Sequence, residues 1–152
     1  MRQAPKIADI TARIAGECLA VRLRRLNREV TALYDEALRP LGLKTSQLNM
    51  LVMISAAGGR AEPRVIGEYL HLEKSTVSRN LERMAARGWV EFTEHPEDGR
   101  SFHIRLTRRG GALLTKAMDP WQRAQAAAHE LIGRSGANFL QPQLPIASAS
   151  PG

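Results

Sequence analysis

The chain has 152 residues, 43% of them hydrophobic and 24% charged, which suffices for one folded core and leaves no room for two large independent domains. Its formal charge of +7, spread along the chain, favours polyanionic partners, because Lys and Arg gain by displacing counterions from phosphates. Apolar runs such as Met50 to Ile54 are too short for a membrane span, the start of the chain lacks a secretory pattern, and the single Cys18 cannot build an internal disulfide or a thiolate-rich zinc site, so a cytoplasmic location is expected.

From Ile10 to about Leu38 there is no proline, and Leu19, Leu23, Leu26, Val30, Leu33 and Ala37 recur in alternating steps of four and three residues. The spacing predicts one long amphipathic helix, with Arg22, Arg24, Arg25, Arg28 and Glu29 on its polar side and Pro40 and Gly42 ending it. Such a seam packs along another helix, so residues 1–44 read as an N-terminal dimerisation segment.

Thr45 or Ser46 is positioned to cap a second helix reaching Ala57, with Leu48, Leu51, Val52 and Ile54 inside and Gly58-Gly59 as its stop. Pro63 opens a short third helix whose inner residues are Val65, Ile66, Tyr69 and Leu70. After the break at His71-Leu72-Glu73, residues Lys74 to Arg87 form a fourth helix with Val77, Leu81 and Met84 on one face and Gly88 beyond its end. Two short helices joined by a tight turn are a helix-turn-helix.

Trp89 to His95 and Ser101 to Leu106 alternate as strands on either side of Pro96-Glu97-Asp98-Gly99, a hairpin in the position of a wing. Thr107 then caps a helix from Arg108 to about Met118 that continues beyond Pro120 as Trp121 to Ile132, while Gly110-Gly111 read as helix punctuation. Residues 133–152, rich in Gly, Ser, Ala and Pro, read as a weakly structured tail with Phe139, Leu140, Leu144 and Ile146 as docking residues. The fold class is therefore mainly α with a small β-wing: a winged helix-turn-helix lobe at 45–106, flanked by N- and C-terminal dimerisation helices, the latter at 107–132.

If Val77, Leu81 and Met84 face the core, then Ser75, Thr76, Ser78, Arg79, Asn80 and Arg83 face outward. Those residue types read base edges when a helix lies in a major groove. A merely solvated polar face would have the same composition, but it would not account for the preceding short helix and the following hairpin. At the hairpin tip, Arg100 is placed to enter a minor groove or grip phosphate, with Asp98 two residues earlier able to hold its guanidinium; a local surface ion pair is the plainer alternative.

The stretches ALRPLGLKTSQLNML and VIGEYLHLEKSTVSRNLERMAARGWVEFTEHPEDGRSFHIRLTRRG, within residues 18–118, resemble the multiple antibiotic resistance regulator (MarR) family. The resemblance implies a homodimer whose terminal helices interlock while two winged lobes bind a pseudo-palindromic operator. By motif position it assigns recognition contacts to Ser75, Thr76, Ser78 and Arg79, and a wing Asp-x-Arg to Asp98 and Arg100. It also implies a crevice between dimer region and DNA lobe that takes a small aromatic ligand. Gly133, Gly136, Pro142 and Pro145 depart from the family's usual long closing helix.

Cys18, one position before the Leu19 seam, is a candidate redox sensor, since family members that sense organic peroxides use an N-terminal cysteine; a buried small hydrophobe is the plainer reading. Arg22, four residues on, is placed to activate its thiol. His71, His95, His103 and His129 show no metal-ligand spacing, no catalytic motif occurs, and no cofactor is expected. The expected function is a sequence-specific double-stranded DNA-binding transcription regulator, a repressor released by a small ligand or oxidant, and not an enzyme. The alternative is a winged-helix protein-interaction module, which Arg79 and Arg100 argue against.

Overall fold

A computed structural model describes residues 6–94 and 102–140; among them, six helices and a two-stranded antiparallel sheet follow in chain order. Helices α1 (Ile7–Glu17) and α2 (Leu19–Leu38) stand where one long helix is expected. The break lies at Cys18, whose ψ of 107° is extended although its N–H still reaches the Ile14 carbonyl at 3.0 Å. Gly16 weakens the helix two positions earlier, and no α1 residue is buried, so no tertiary packing holds the two segments in one rod.

Helix α2 ends in the fully buried Leu38, followed by a single 3-10 turn (Arg39–Leu41) and Gly42 at a φ of 65°. Helix α3 (Thr45–Ala56) begins differently from the expectation. Lys44 is its N-cap, and Thr45 already lies in the helix, giving both its N–H (2.8 Å) and its hydroxyl (2.6 Å) to the Asp35 carboxylate of α2. One carboxylate thus satisfies a free amide of α3 and ties it to α2. The buried arc of α3 is centred on Gln47, Leu51 and Ile54; Met50 joins it, while Val52, expected inside, is 47% exposed.

Helix α4 (Pro63–Leu70) starts at its proline and buries only Ile66. Val65 and Tyr69, both expected inward, are exposed, because a helix of two turns offers the core one narrow stripe. The turn into α5 (Lys74–Ala86) puts His71 in the left-handed region at a φ of 52° and brings the Leu72 N–H to the Gly67 carbonyl at 2.9 Å. A Cβ on Gly67 would stand 3.1 Å from the Leu72 carbonyl oxygen and 3.4 Å from a Val77 methyl, so the glycine permits this tight corner. Val77, Leu81 and Met84 are all buried, as their spacing requires.

Strands β1 (Val90–Glu94) and β2 (Phe102–Leu106) pair with Val90 opposite Leu106 and Glu94 opposite Phe102. Ala61, in the connection between α3 and α4, adds an isolated bridge to Ile104, whose N–H donates to the Ala61 carbonyl at 2.8 Å. The base of the hairpin is thereby fastened to the helical lobe.

Helix α6 (Arg108–Phe139) packs along α2. Thr107 caps it as expected, its hydroxyl oxygen accepting from the Gly110 N–H at 3.0 Å. Gly110 is more than punctuation: a Cβ there would lie 2.0 Å from the Trp89 carbonyl oxygen, so only glycine allows the first turn of α6 to approach the bend leading into β1 this closely. The helix passes through Pro120, departs from helical geometry at Gly133 (φ 71°, ψ 170°) and is helical again to Phe139. Gly136 does not interrupt it. Leu140 is exposed, and Leu144 and Ile146 lie outside the described residues.

Candidate nucleic-acid interface

The outer surface of α5 is determined by what its inner surface buries. With Val77, Leu81 and Met84 in the core, Ser75, Ser78, Arg79 and Arg83 are exposed, whereas Thr76 and Asn80 are half-buried at the edge of the same helix. Asn80 differs from its neighbours in direction as well as burial: its amide donates to the Thr76 carbonyl one turn back at 2.9 Å. Arg79 lies back along the helix, its Nε 3.1 Å from the Ser75 carbonyl and a terminal nitrogen 3.5 Å from the Ser75 hydroxyl. These are weak local contacts that an incoming guanine edge or phosphate can replace with charge-assisted bonds.

Glu82 belongs to this surface and was not singled out from the sequence. It is exposed, and its carboxylate accepts the Ser78 hydroxyl at 3.0 Å. A carboxylate among basic residues repels phosphate but accepts from the cytosine amino group, so it suits base reading better than backbone contact. The i, i+4 spacing of Ser78 and Glu82 was the signal available in the sequence.

The wing is braced before it reaches its tip. Phe92 and Phe102 meet edge to face with ring centroids 5.1 Å apart, and Arg105 pairs with Glu91 across the strands at 2.7 Å. Asp98 and Arg100, the expected wing contacts, lie outside the described residues, as does His95. Between wing and helices a cleft of about 600 Å³ is lined by Pro63, Leu72, Val77, Leu81, Phe92 and Phe102, with Ser78 and Glu82 on its rim toward the reading surface.

At the far end of the lobe, Arg87 stacks on the Trp89 ring, 4.9 Å from its centroid, and donates to the Gly42 carbonyl at 2.7 Å. Together with the bonds from Thr45 to Asp35, this bond joins the end of α5 and the start of α3 to the end of α2. Deeper between α2 and α6, the Tyr34 hydroxyl donates to the Gln125 side chain, and burial raises the Tyr34 pKa.

The sequence profile of the MarR family matches residues 41–101, and the M. tuberculosis transcriptional regulator MOSR, solved in complex with DNA, is 33% identical, with a TM-score of 0.69 over 81% of this chain and 93% of that one. The chain belongs to the MarR family. The multiple antibiotic resistance protein MarR of Escherichia coli K12 is 26% identical over 112 residues, which is 74% of this chain and 69% of that protein. The organic hydroperoxide resistance transcriptional regulator of Bacillus subtilis is 31% identical over 93 residues, 61% of this chain; the match spans 63% of that relative's length.

Within this MarR-family chain, Cys18 is half-buried at the joint of α1 and α2. The contact expected from Arg22 to its thiol is replaced by another, since the Arg22 guanidinium donates to the Gly16 carbonyl. Helical geometry explains the difference: the break at Cys18 frees carbonyls at the end of α1, and the nearest long cation takes one of them. Among the described residues, no three His, Cys, Asp or Glu side chains gather as a metal site requires.

Proposed function

We propose that this chain is a sequence-specific regulator of transcription that binds double-stranded DNA as a homodimer, laying the N-terminal half of α5 in the major groove. The observation that carries the reading is the division of α5: Val77, Leu81 and Met84 anchor one side, while Ser75, Ser78, Arg79 and Arg83 stand exposed on the other. Arg and Ser on that side match the donors that base edges require, and Thr76 and Asn80 flank them. Arg100 and Asp98 complete the footprint at the wing, on the minor groove or the backbone. A DNA-bound relative of the same fold at 33% identity supports this docking.

Homodimerisation is supported by apolar residues that one protomer leaves in solvent: Ile7 is 82%, Ile14 61%, Leu19 70% and Leu23 57% exposed on α1 and α2. We take the lobe at 45–106 as the DNA-reading part and the flanking helices as the dimer part. The chain acts as a cytoplasmic repressor rather than an enzyme, released by a small aromatic ligand or by oxidation at Cys18. The name of the B. subtilis relative, an organic hydroperoxide resistance transcriptional regulator, supports regulation of transcription and an oxidant as the signal. Among the described residues no helix is long and apolar enough to cross a membrane.

The test is selection of bound fragments from the source genome by the full chain at moderate salt. Enrichment of fragments sharing one pseudo-palindrome is the expected result, and retention without any shared sequence would contradict specific reading.

A further inference from the structure

On the side of the lobe where α5 ends, a second cleft of about 370 Å³ is lined by Leu41, Arg87, Trp89, Arg109, Ala112, Leu113 and Lys116. Its three charged lining residues are all cationic, and among the described residues none of them pairs with a carboxylate. The acids that pair with arginines elsewhere are absent from its walls.

The arrangement is partly preorganised. Arg87 is held by the Trp89 ring and the Gly42 carbonyl, which use one face and one N–H group of a guanidinium that has five donors. The Arg109 stem runs beside it, its Cδ 3.8 Å from the position a Cβ on Gly88 would take. Lys116 follows Arg109 on the same side of α6 after two turns, about 10 Å along the axis. Leu41, Ala112, Leu113 and the buried Trp89 lie between the cations.

From this placement we infer that the cleft is a binding site for a compact dianion, a phosphate monoester or a small dicarboxylate. Three cations without a carboxylate favour two negative charges over one, and the guanidinium fork of Arg87 matches either head group. The site lies at the C-terminal end of α5, one turn beyond Arg83, whereas DNA reading is proposed for the N-terminal half of that helix.

The test is a titration of the full chain, without DNA and at low salt, following the Trp89 indole N–H by NMR. Methyl phosphate and succinate are the probes and acetate is the control; near neutral pH a phosphate monoester, with a second pKa of about 6, carries close to two charges. Saturable shifts with methyl phosphate, succinate or both, together with much weaker binding of acetate, are expected, and the more effective probe identifies the head group. The exposed Arg109→Gln and Lys116→Gln changes together should weaken binding at least about tenfold, the equivalent of losing one to two charge-assisted contacts. Lys116→Gln alone should give an intermediate loss, which guards against misfolding of the double variant. No saturation by either dianion, or the same saturation in both variants, would overturn the inference. Because DNA is absent, a negative result leaves the proposed DNA binding standing, and loss of DNA binding would not affect this titration.

Discussion

Arg79 carries the sharpest distinction between reading DNA and merely holding it. Its guanidinium makes only contacts within its own helix turn, to Ser75, so replacing it leaves no buried partner unsatisfied. If it contacts a guanine edge with two bonds, Arg79→Ala should cost about 1–3 kcal/mol on the operator and much less on random duplex, read from paired titrations at one salt concentration. Equal losses on both would move Arg79 to the phosphates and leave base reading to Ser75, Ser78 and Glu82. Gly110 tests the fold at the same scale. With its Cβ position 2.0 Å from the Trp89 carbonyl oxygen, Gly110→Ala should destabilise by at least about 1–3 kcal/mol in denaturant unfolding, whereas Gly111→Ala, whose Cβ position meets nothing closer than 3.8 Å, should cost far less. Sequence alone could not separate these two neighbours, because the difference comes from the backbone of Trp89, about twenty residues away in the chain.

At the scale of elements, the strongly periodic pieces were legible. Val77, Leu81 and Met84 placed α5, Pro63 placed the start of α4, and Thr107 placed the start of α6, since caps and buried stripes are local properties. The failures were tertiary. Lys44 rather than Thr45 caps α3 because Asp35, on another helix, takes both Thr45 donors; the hairpin's anchor at Ala61 depends on a bridge to a distant strand. Asp35→Ala should therefore remove an amide acceptor and a hydroxyl partner at once, lowering stability by about 1–2 kcal/mol in chemical denaturation, with Thr45→Val losing part of that amount. Between α2 and α6, Tyr34 has a raised pKa because burial disfavours its phenolate. Its sign follows directly: below pH 10 both folded and unfolded forms keep the proton and stability is unaffected, while above that value the unfolded chain loses it first and stability falls. The alkaline decline in unfolding free energy should be shallower in Tyr34→Phe.

For the whole molecule, one protomer is incomplete in a way that suggests its partner. Apolar side chains along α1 and α2 stand in solvent, and the bonds from Asp35 to Thr45 and from Arg87 to Gly42 fix the reading lobe to the end of α2. Pairing two such helices would hold two reading heads at a set distance, which is why a pseudo-palindrome is the matching target. The break at Cys18 was not anticipated because no proline interrupts Ile10 to Leu38, although the seam itself begins only at Leu19; burial, which would have shown α1 unpacked, was not readable from spacing. The most direct measurement of the coupled-head account is a titration of the full chain, with sedimentation confirming about twice the 16.8 kDa chain mass, against operators whose half-sites are moved apart. Inserting about 5 bp turns one half-site roughly half a helical turn away from the other, whereas about 10 bp restores its facing but not its distance. The account predicts a large loss of affinity for the half-turn insertion, down toward that of a single half-site. Unchanged affinity across the insertions would contradict two reading heads fixed on one dimer.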